Sequence, residues 1–218
     1  MAMHGVISPR RSGSLRKAEN PESLLRDGEE IDAVEASRRT FAPLDREHLF
    51  VGGSLFTGCS FAGCTLRRSH FSDTTFRNCD FSNADLRGCG FLRTEFADCR
   101  LTGGELPECT WNHVLLLRCK ADYANFSQGR FRCVRFSESD LRSGVLAACR
   151  LEYAEFDRCD LSQAELFGTP LAGISLVGNT IAGIRFGAAE SRELRGAVVD
   201  RMQALELARM LGFEIEEL

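Results

Sequence analysis

The sequence predicts an all-β solenoid, in which the chain winds into coils with four short sides, flanked by helical segments at both ends. Two columns of residues indicate this fold class. Large apolar residues recur at every fifth position from Phe56 to Phe186, and small residues lie two positions before them. A further correlation at twenty residues indicates that four repeats close one coil.

We call the large apolar position of each repeat the centre. Every centre except Ala121 is a large apolar residue. The centres are Phe56, Phe61, Leu66, Phe71, Phe76, Phe81, Leu86, Phe91, Phe96, Leu101, Leu106, Trp111, Leu116, Ala121, Phe126, Phe131, Phe136, Leu141, Leu146, Leu151, Phe156, Leu161, Leu166, Leu171, Leu176, Ile181 and Phe186. Nine of the ten cysteines occupy the small column.

A period of five fits neither an amphipathic helix, which places apolar residues near every 3.6 positions, nor a long strand, which alternates every two. Two inward residues spaced by two form a very short extended side, and the other three residues face outward or turn a corner. Such a chain coils on itself, and successive coils pair as parallel strands about 4.8 Å apart.

Four sides to a coil are indicated by residues twenty positions apart. The column that starts at Phe56 has Phe at five of seven places, and the column that starts at Leu66 has Leu at five of seven. Opposite sides would therefore stack Phe against Leu, which predicts closure in four repeats.

The N-terminal residues 1–38 are predicted to form a mobile tail followed by a short helix. Asn20, Pro21 and Glu22 have the pattern of a helix cap with Pro in the first turn, so a helix is expected over much of 21–38. Residues 39–190 are predicted to form the solenoid, of which 39–50 lead into the first coil and cover its open edge.

The C-terminal residues 191–218 are predicted to form a cap. The repeat resumes three residues late around Leu194 and Val199. Asp200 and Gln203 then form a capping box, which predicts a helix to about Leu211 with Gly212 as its stop. Residues 213–218 are expected to form an alternating strand.

The repeat resembles that of the pentapeptide repeat family, whose consensus is A(D/N)LXX. Residues 84–88 read Ala-Asp-Leu-Arg-Gly and match it fully, and the register covers roughly residues 51–188. The resemblance implies a right-handed quadrilateral parallel β-helix. The length and the C-terminal tail are similar to the Qnr and MfpA-like branch, whose members bind type II topoisomerases such as DNA gyrase and protect them from quinolones or peptide toxins by DNA mimicry.

In that branch, similar C-terminal helices join two rods tip to tip, which implies a homodimer here. A monomeric cap is the alternative. The residues expected at the dimer interface are Met202, Ala204, Leu205, Leu207, Ala208, Leu211, Phe213 and Ile215.

Composition excludes several classes of function. The net charge is −4, with no basic surplus for direct nucleic-acid binding. There is no G-K-[ST] phosphate loop and no C-x-x-C pair. A filled rod offers no catalytic pocket, so we expect a non-enzymatic protein without metal or cofactor. The N-terminal residues contain no apolar stretch that suggests a secretory signal, so we expect a reducing cytoplasm, in which the ten cysteines are free thiols. Residues 166–184 are uncharged, but their Gly and Pro keep the five-residue register, which argues against a membrane span.

The outer surface offers two further candidates. Outward apolar residues that a partner protein would contact are Leu115, Leu117, Tyr123 and Phe167. Cys133 lies at a corner, where it is expected either to be exposed and reactive or to be crowded by Arg130, Arg132 and Arg135. Because residues 51–190 hold 16 acidic and 15 basic residues, electrostatic DNA mimicry would be weak. A general protein-interaction scaffold with an unknown partner is therefore the alternative function.

Overall fold

A computed structural model describes residues 5–10, 14–17, 30–41, 44–187 and 192–216 of the chain. The elements are β1 (Arg16–Lys17), β2 (Glu30–Asp32), β3 (Val34–Ser37), β4 (Phe50–Gly52), β5 (Leu55–Thr57), β6 (His70–Ser72), β7 (Thr75–Arg77), β8 (Gly90–Ala97), β9 (Thr110–Leu117), β10 (Arg130–Ser137), β11 (Arg150–Glu152), β12 (Glu155–Asp157) and α1 (Arg201–Met210).

The strands form a parallel β-solenoid with a register of twenty residues, as the sequence predicts. Phe71 pairs with Phe91, and Phe91 with Trp111. Isolated bridges continue the same offset on the other two sides, for example Asp80 with Arg100. Four five-residue sides therefore close each coil.

The core is the stack of centres. Every predicted centre is buried except Leu151 and Phe186, which are half-buried. Equivalent rings in successive coils lie face to face, as in Phe61 on Phe81 at a centroid distance of 4.8 Å. Rings on adjacent sides meet edge to face, as in Phe76 and Phe81 at 5.1 Å. Phe76 and Phe81 thus contact aromatic neighbours both within and between coils.

The small inward position holds polar residues where their side chains bond the neighbouring coil. The hydroxyl of Ser69 accepts a hydrogen bond from the Leu49 N–H at 3.1 Å. The amide oxygen of Asn179 accepts one from the Cys159 N–H at 2.7 Å. Buried polar groups are tolerated here because the backbone of the next coil satisfies them.

Each corner is turned by the residue two positions after a centre, which adopts a positive φ. Most of these residues are not glycine, and Asn78, Arg118 and Tyr123 have φ of 52°, 49° and 59°. A left-handed conformation costs an L-residue roughly 1–2 kcal/mol. The stacked coils hold the corners in place against this cost.

The solenoid begins earlier than the sequence suggested. Residues 30–38, predicted to be helical, contain β2 and β3, which pair with β4 and β5; this part of the predicted helix is wrong, and its residues 21–29 lie outside the described residues. Thr40 and Asp45 also bridge the next coil, so the lead-in is itself part of a coil. Arg46 occupies a centre here and interrupts the apolar pattern.

The C-terminal cap confirms the shifted register and the helix. The Leu171 N–H donates to the Glu193 carbonyl and the Leu176 N–H to the Val198 carbonyl, an offset three residues longer than that of Phe61 and Asp80. Helix α1 starts after Asp200, which forms the predicted capping box with Gln203. Residues 213–216 form no strand, so the predicted terminal strand is wrong over its described part.

Candidate interaction surfaces

The cysteines lie in the interior of the rod. All ten cysteines are free and buried, and several donate hydrogen bonds to backbone carbonyls of the preceding coil, as Cys89 does to Leu66 at 3.0 Å. Burial raises the pKa of the Cys89 thiol to about 12 and that of Cys149 to about 11. These thiols therefore stay protonated at neutral pH and act as small core residues.

Cys133 is only 4% exposed, so the expectation that it is exposed and reactive is wrong. It turns a corner with a φ of 54°. Its neighbours in the corner column, one coil away on either side, are His113 and Tyr153. Both carry larger side chains, and the small thiol lies recessed between them.

In the part of the chain that the structure describes, no group of three or more His, Cys, Asp or Glu residues has the arrangement to hold a metal ion. No helix among the same residues is long and apolar enough to cross a membrane.

Arginines form ion pairs with most carboxylates on the outer surface of the solenoid. Arg118 Nε lies 2.7 Å from Asp98 Oδ1, and Arg185 Nη1 lies 2.6 Å from Glu165 Oε1 one coil earlier. Ten carboxylates between residues 51 and 187 lie within 4.0 Å of an arginine: Asp73, Asp85, Glu95, Asp98, Glu138, Asp140, Glu155, Asp157, Asp160 and Glu165. Such pairs cancel the field that a continuous acidic stripe would project.

Gln203 anchors helix α1 to the last coils. Its buried side-chain amide donates to the carbonyls of Leu176 at 2.7 Å and Asn179 at 2.8 Å. Leu207, one turn later, is 8% exposed and packs into the solenoid core. These contacts fix which side of the helix faces the rod and which side faces outward.

The predicted dimer residues divide between these two sides. Met202 is 72% exposed and Phe213 65% exposed; Ala204 and Leu211 are also exposed, whereas Leu205, Ala208 and Ile215 are half-buried. Leu207 belongs to the core of its own chain and is not available to a second copy. The sequence alone did not separate Leu207 from the other predicted dimer residues, because the apolar residues that face the rod and those that face outward follow each other in one short segment.

The four predicted partner residues do not form one surface. Leu115 and Leu117 are half-buried on β9, and Tyr123 is 66% exposed at a corner of another side. Phe167 lines a cavity of about 400 Å³ with Met210 and Leu211, so it belongs to the C-terminal surface. Arg185 lies 6.0 Å above the Phe167 ring.

Residues 5–10, which we call the strap, lie against the side of the rod. The Arg10 N–H donates to Asp73 Oδ1 at 2.8 Å, and the Ile7 N–H donates to His113 Nδ1 at 3.3 Å. Val6 and Pro9 are half-buried. The sequence predicted a mobile tail here, because a short polar segment carries no periodicity that would reveal a contact with distant coils.

The chain matches two models of one family. Residues 53–126 match a model described as pentapeptide repeat region. Residues 130–168 match one described as pentapeptide repeats, eight copies. No curated protein matches the chain.

Several solved structures are similar to this chain. A trypsin-treated variant of QnrB1, a plasmid-mediated fluoroquinolone resistance protein, is 20% identical, with 85% of this chain and 99% of that chain covered and a TM-score of 0.49. Full-length QnrB1 is 22% identical over 92% and 97%, with a TM-score of 0.42. HetL from the cyanobacterium Nostoc, a pentapeptide repeat protein involved in heterocyst differentiation regulation, is 17% identical over 78% and 86%, with a TM-score of 0.33.

Proposed function

Because the chain belongs to the pentapeptide repeat family, we propose that it is a non-enzymatic binding protein that interacts with a type II topoisomerase such as DNA gyrase and protects it from quinolone or peptide-toxin inhibitors. The observation that supports the non-enzymatic part is the twenty-residue register of residues 51–186, which fills the interior with side chains and leaves the outer surface for recognition. The topoisomerase as partner is supported by the likeness of length and C-terminal tail to the Qnr and MfpA-like branch.

A supercoiling assay with purified DNA gyrase and a fluoroquinolone tests this function. We expect added protein to restore supercoiling in a dose-dependent way, with a heat-denatured sample as the control. A matched assay with a peptide toxin covers the second class of inhibitor. Absence of rescue in both assays would remove the topoisomerase from the proposal.

The paired surface charges favour a second candidate, a protein-interaction scaffold whose partner is not a topoisomerase. A DNA mimic gains from unpaired carboxylates, whereas Asp98 and Glu138 here each pair with an arginine one coil away. Binding of the purified protein to gyrase separates the candidates, because the scaffold is expected not to bind it. If the protein binds, an affinity that falls steeply between about 50 and 200 mM salt would indicate recognition by charge, and a flat dependence would indicate recognition by shape and apolar contacts.

We also propose a homodimer formed through the outward side of α1 and the residues after it. Met202 and Phe213 are exposed there, and Val198 and Val177 of the C-terminal part are also about half exposed; large exposed apolar residues at one end of a protein are a feature of interfaces. Light scattering should give twice the monomer mass. Met202→Glu with Phe213→Glu should give the monomer mass, whereas Arg201→Gln, an exposed control on the same helix, should not. A wild-type particle of monomer mass would contradict the dimer.

A further inference from the structure

The strap follows the axis of the rod along one corner column, at right angles to the strands. This column contains Asp73, Arg93 and His113, one residue from each of three successive coils. Ile7 is held at His113 and Arg10 at Asp73, whereas Arg16 donates its N–H to the Ala33 carbonyl in the first coil at 2.7 Å. From Ile7 to Arg10 to Arg16, the contacts therefore lie at successively earlier coils of the rod.

The spacing of the two anchors matches the spacing of the coils. Asp73 and His113 are two coils apart, which at about 4.8 Å for each coil is roughly 10 Å. Ile7 and Arg10 are three residues apart, and three extended residues also span roughly 10 Å. Both anchors accept main-chain N–H groups, so the column recognises an extended backbone rather than particular side chains.

The charges around Asp73 favour one type of peptide residue at that end of the column. Arg93 donates to Asp73 from Nε at 2.6 Å and from Nη2 at 2.5 Å. These bonds lower the pKa of Asp73, and the Arg10 N–H and the charge of Arg10 lower it further. An ionised carboxylate accepting a main-chain N–H therefore favours a basic residue at this position of the peptide.

The surface beside the column has an unused acceptor. A cavity of about 310 Å³ lies between strap residues 5–9 and the side of the rod around Leu115, Arg135 and Glu155. Arg135 Nε lies 3.6 Å from Glu155 Oε2 in an ion pair, whereas Asn112 Oδ1 is buried without a hydrogen-bond partner among the described residues. An unsatisfied acceptor next to the His113 corner suits an N–H group of a peptide.

We propose that the Asp73–His113 column and the adjoining surface of Leu115 and Arg135 form a binding site for an extended peptide segment of a partner protein, which the strap occupies in cis. The partner segment carries an aliphatic residue and a basic residue four positions later, as Val6 and Arg10 do. It has to displace the strap, which competes at the effective concentration of a tethered ligand.

The test uses full-length chain and a fluorescent peptide of residues 1–13 as the probe. Ile7→Pro with Arg10→Pro removes both anchoring N–H donors from the strap and frees the column. Ile7→Val with Arg10→Lys keeps them and is the matched control. We expect the probe to bind the proline variant at least about tenfold more tightly than it binds wild type or the control, since the tethered strap no longer competes.

Adding His113→Phe to the proline variant should weaken probe binding about fivefold or more, because an acceptor is lost. A probe that carries the same two proline substitutions should not bind. Equal binding of the probe to wild type and to the proline variant, or no binding to either, would overturn the proposal.

Amide hydrogen exchange in the wild-type protein gives a second measurement that needs no variant. The Ile7 and Arg10 N–H groups should exchange at least about tenfold more slowly, relative to their intrinsic rates, than the Ser8 N–H between them. Equal exchange of the three groups would show that the strap does not occupy the column. Because gyrase enters neither measurement, failure here is distinguishable from failure of the topoisomerase function.

Discussion

Trp111 lies on Phe91, its counterpart one coil earlier, with the two ring centroids 4.4 Å apart. On its other side it stacks on Phe131 at 5.6 Å. The indole thus takes a place in a column whose other members are Phe, Leu, Val51 and Ile31. Its Nε1 donor is buried there without a hydrogen-bond partner among the described residues.

Trp111→Phe should leave the free energy of unfolding unchanged or raise it by up to about 2 kcal/mol. Phe keeps the stack and removes an unsatisfied buried donor, whose cost is roughly 1–3 kcal/mol and offsets the smaller buried area. Trp111→Ala should lose about 3–5 kcal/mol because it leaves a cavity. Urea unfolding followed by circular dichroism checks both, and equal losses for the two variants would contradict the account.

Phe96→Ala should lower the free energy of unfolding by about 3–5 kcal/mol. The Phe96 side chain is fully buried and stacks on Phe76 at a centroid distance of 5.0 Å, so its removal leaves a cavity between coils. Arg87→Ala, at an exposed position, is the matched control and should stay within about 0.5 kcal/mol of wild type. An unchanged melting curve for Phe96→Ala would show that the core is not packed as described.

Asp73→Asn should destabilise the protein at pH 7 by about 1–2 kcal/mol, with a difference that narrows in acid. Bonds from Arg93 lower the pKa of Asp73 in the folded protein. The stabilisation is therefore complete above the unfolded pKa of about 3.9 and is lost as the pH falls through the lower folded value. Urea titrations at pH 7 and near pH 3 measure this, with Glu108→Gln, an exposed carboxylate outside the ion pairs, as control. A difference independent of pH would contradict it.

Ala148→Gly should stabilise the protein by about 0.5–1 kcal/mol, although glycine usually weakens a strand. Ala148 is exposed at a corner with a φ of 53°, and glycine adopts that conformation without the penalty of a Cβ. Ala147→Gly, one residue earlier and outside the left-handed region, should destabilise by a similar amount. Thermal melts of the pair give the answer, and the same sign for both would show that the corner conformation carries no cost.

Most of the fold could be predicted from the sequence because each repeat buries the same two positions. Phe56 and Phe76 have the same environment one coil apart, so a local pattern repeats along the chain and its period gives the architecture. The cap at Asp200 and Gln203 was predictable for a similar reason, since a capping box involves residues three positions apart. The start of the solenoid could not be predicted from the sequence, because Arg46 occupies the centre position of its repeat, which is apolar in the other repeats.

The candidate surfaces were less predictable, because they depend on contacts between residues far apart in the chain. Neither Ile7 nor Arg10 lies in a periodic segment, and their acceptors His113 and Asp73 are 106 and 63 residues away. Leu207 and Met202 belong to one short helix, yet one is buried and the other exposed. The amide of Gln203 bonds to the last coils and determines which of them faces the rod.

The sequence by itself determined the five-residue repeat, the four-sided coil, the buried centres and the capped C-terminal helix. Only the tertiary structure decided that residues 30–38 already belong to a coil, that Cys133 is recessed, that arginines pair with carboxylates across coils and that the strap lies on Asp73 and His113. The physical reason is the separation in sequence of the residues involved. Periodic burial and capping depend on residues close together in the chain, whereas outward side chains contact their partners only after the coils have stacked.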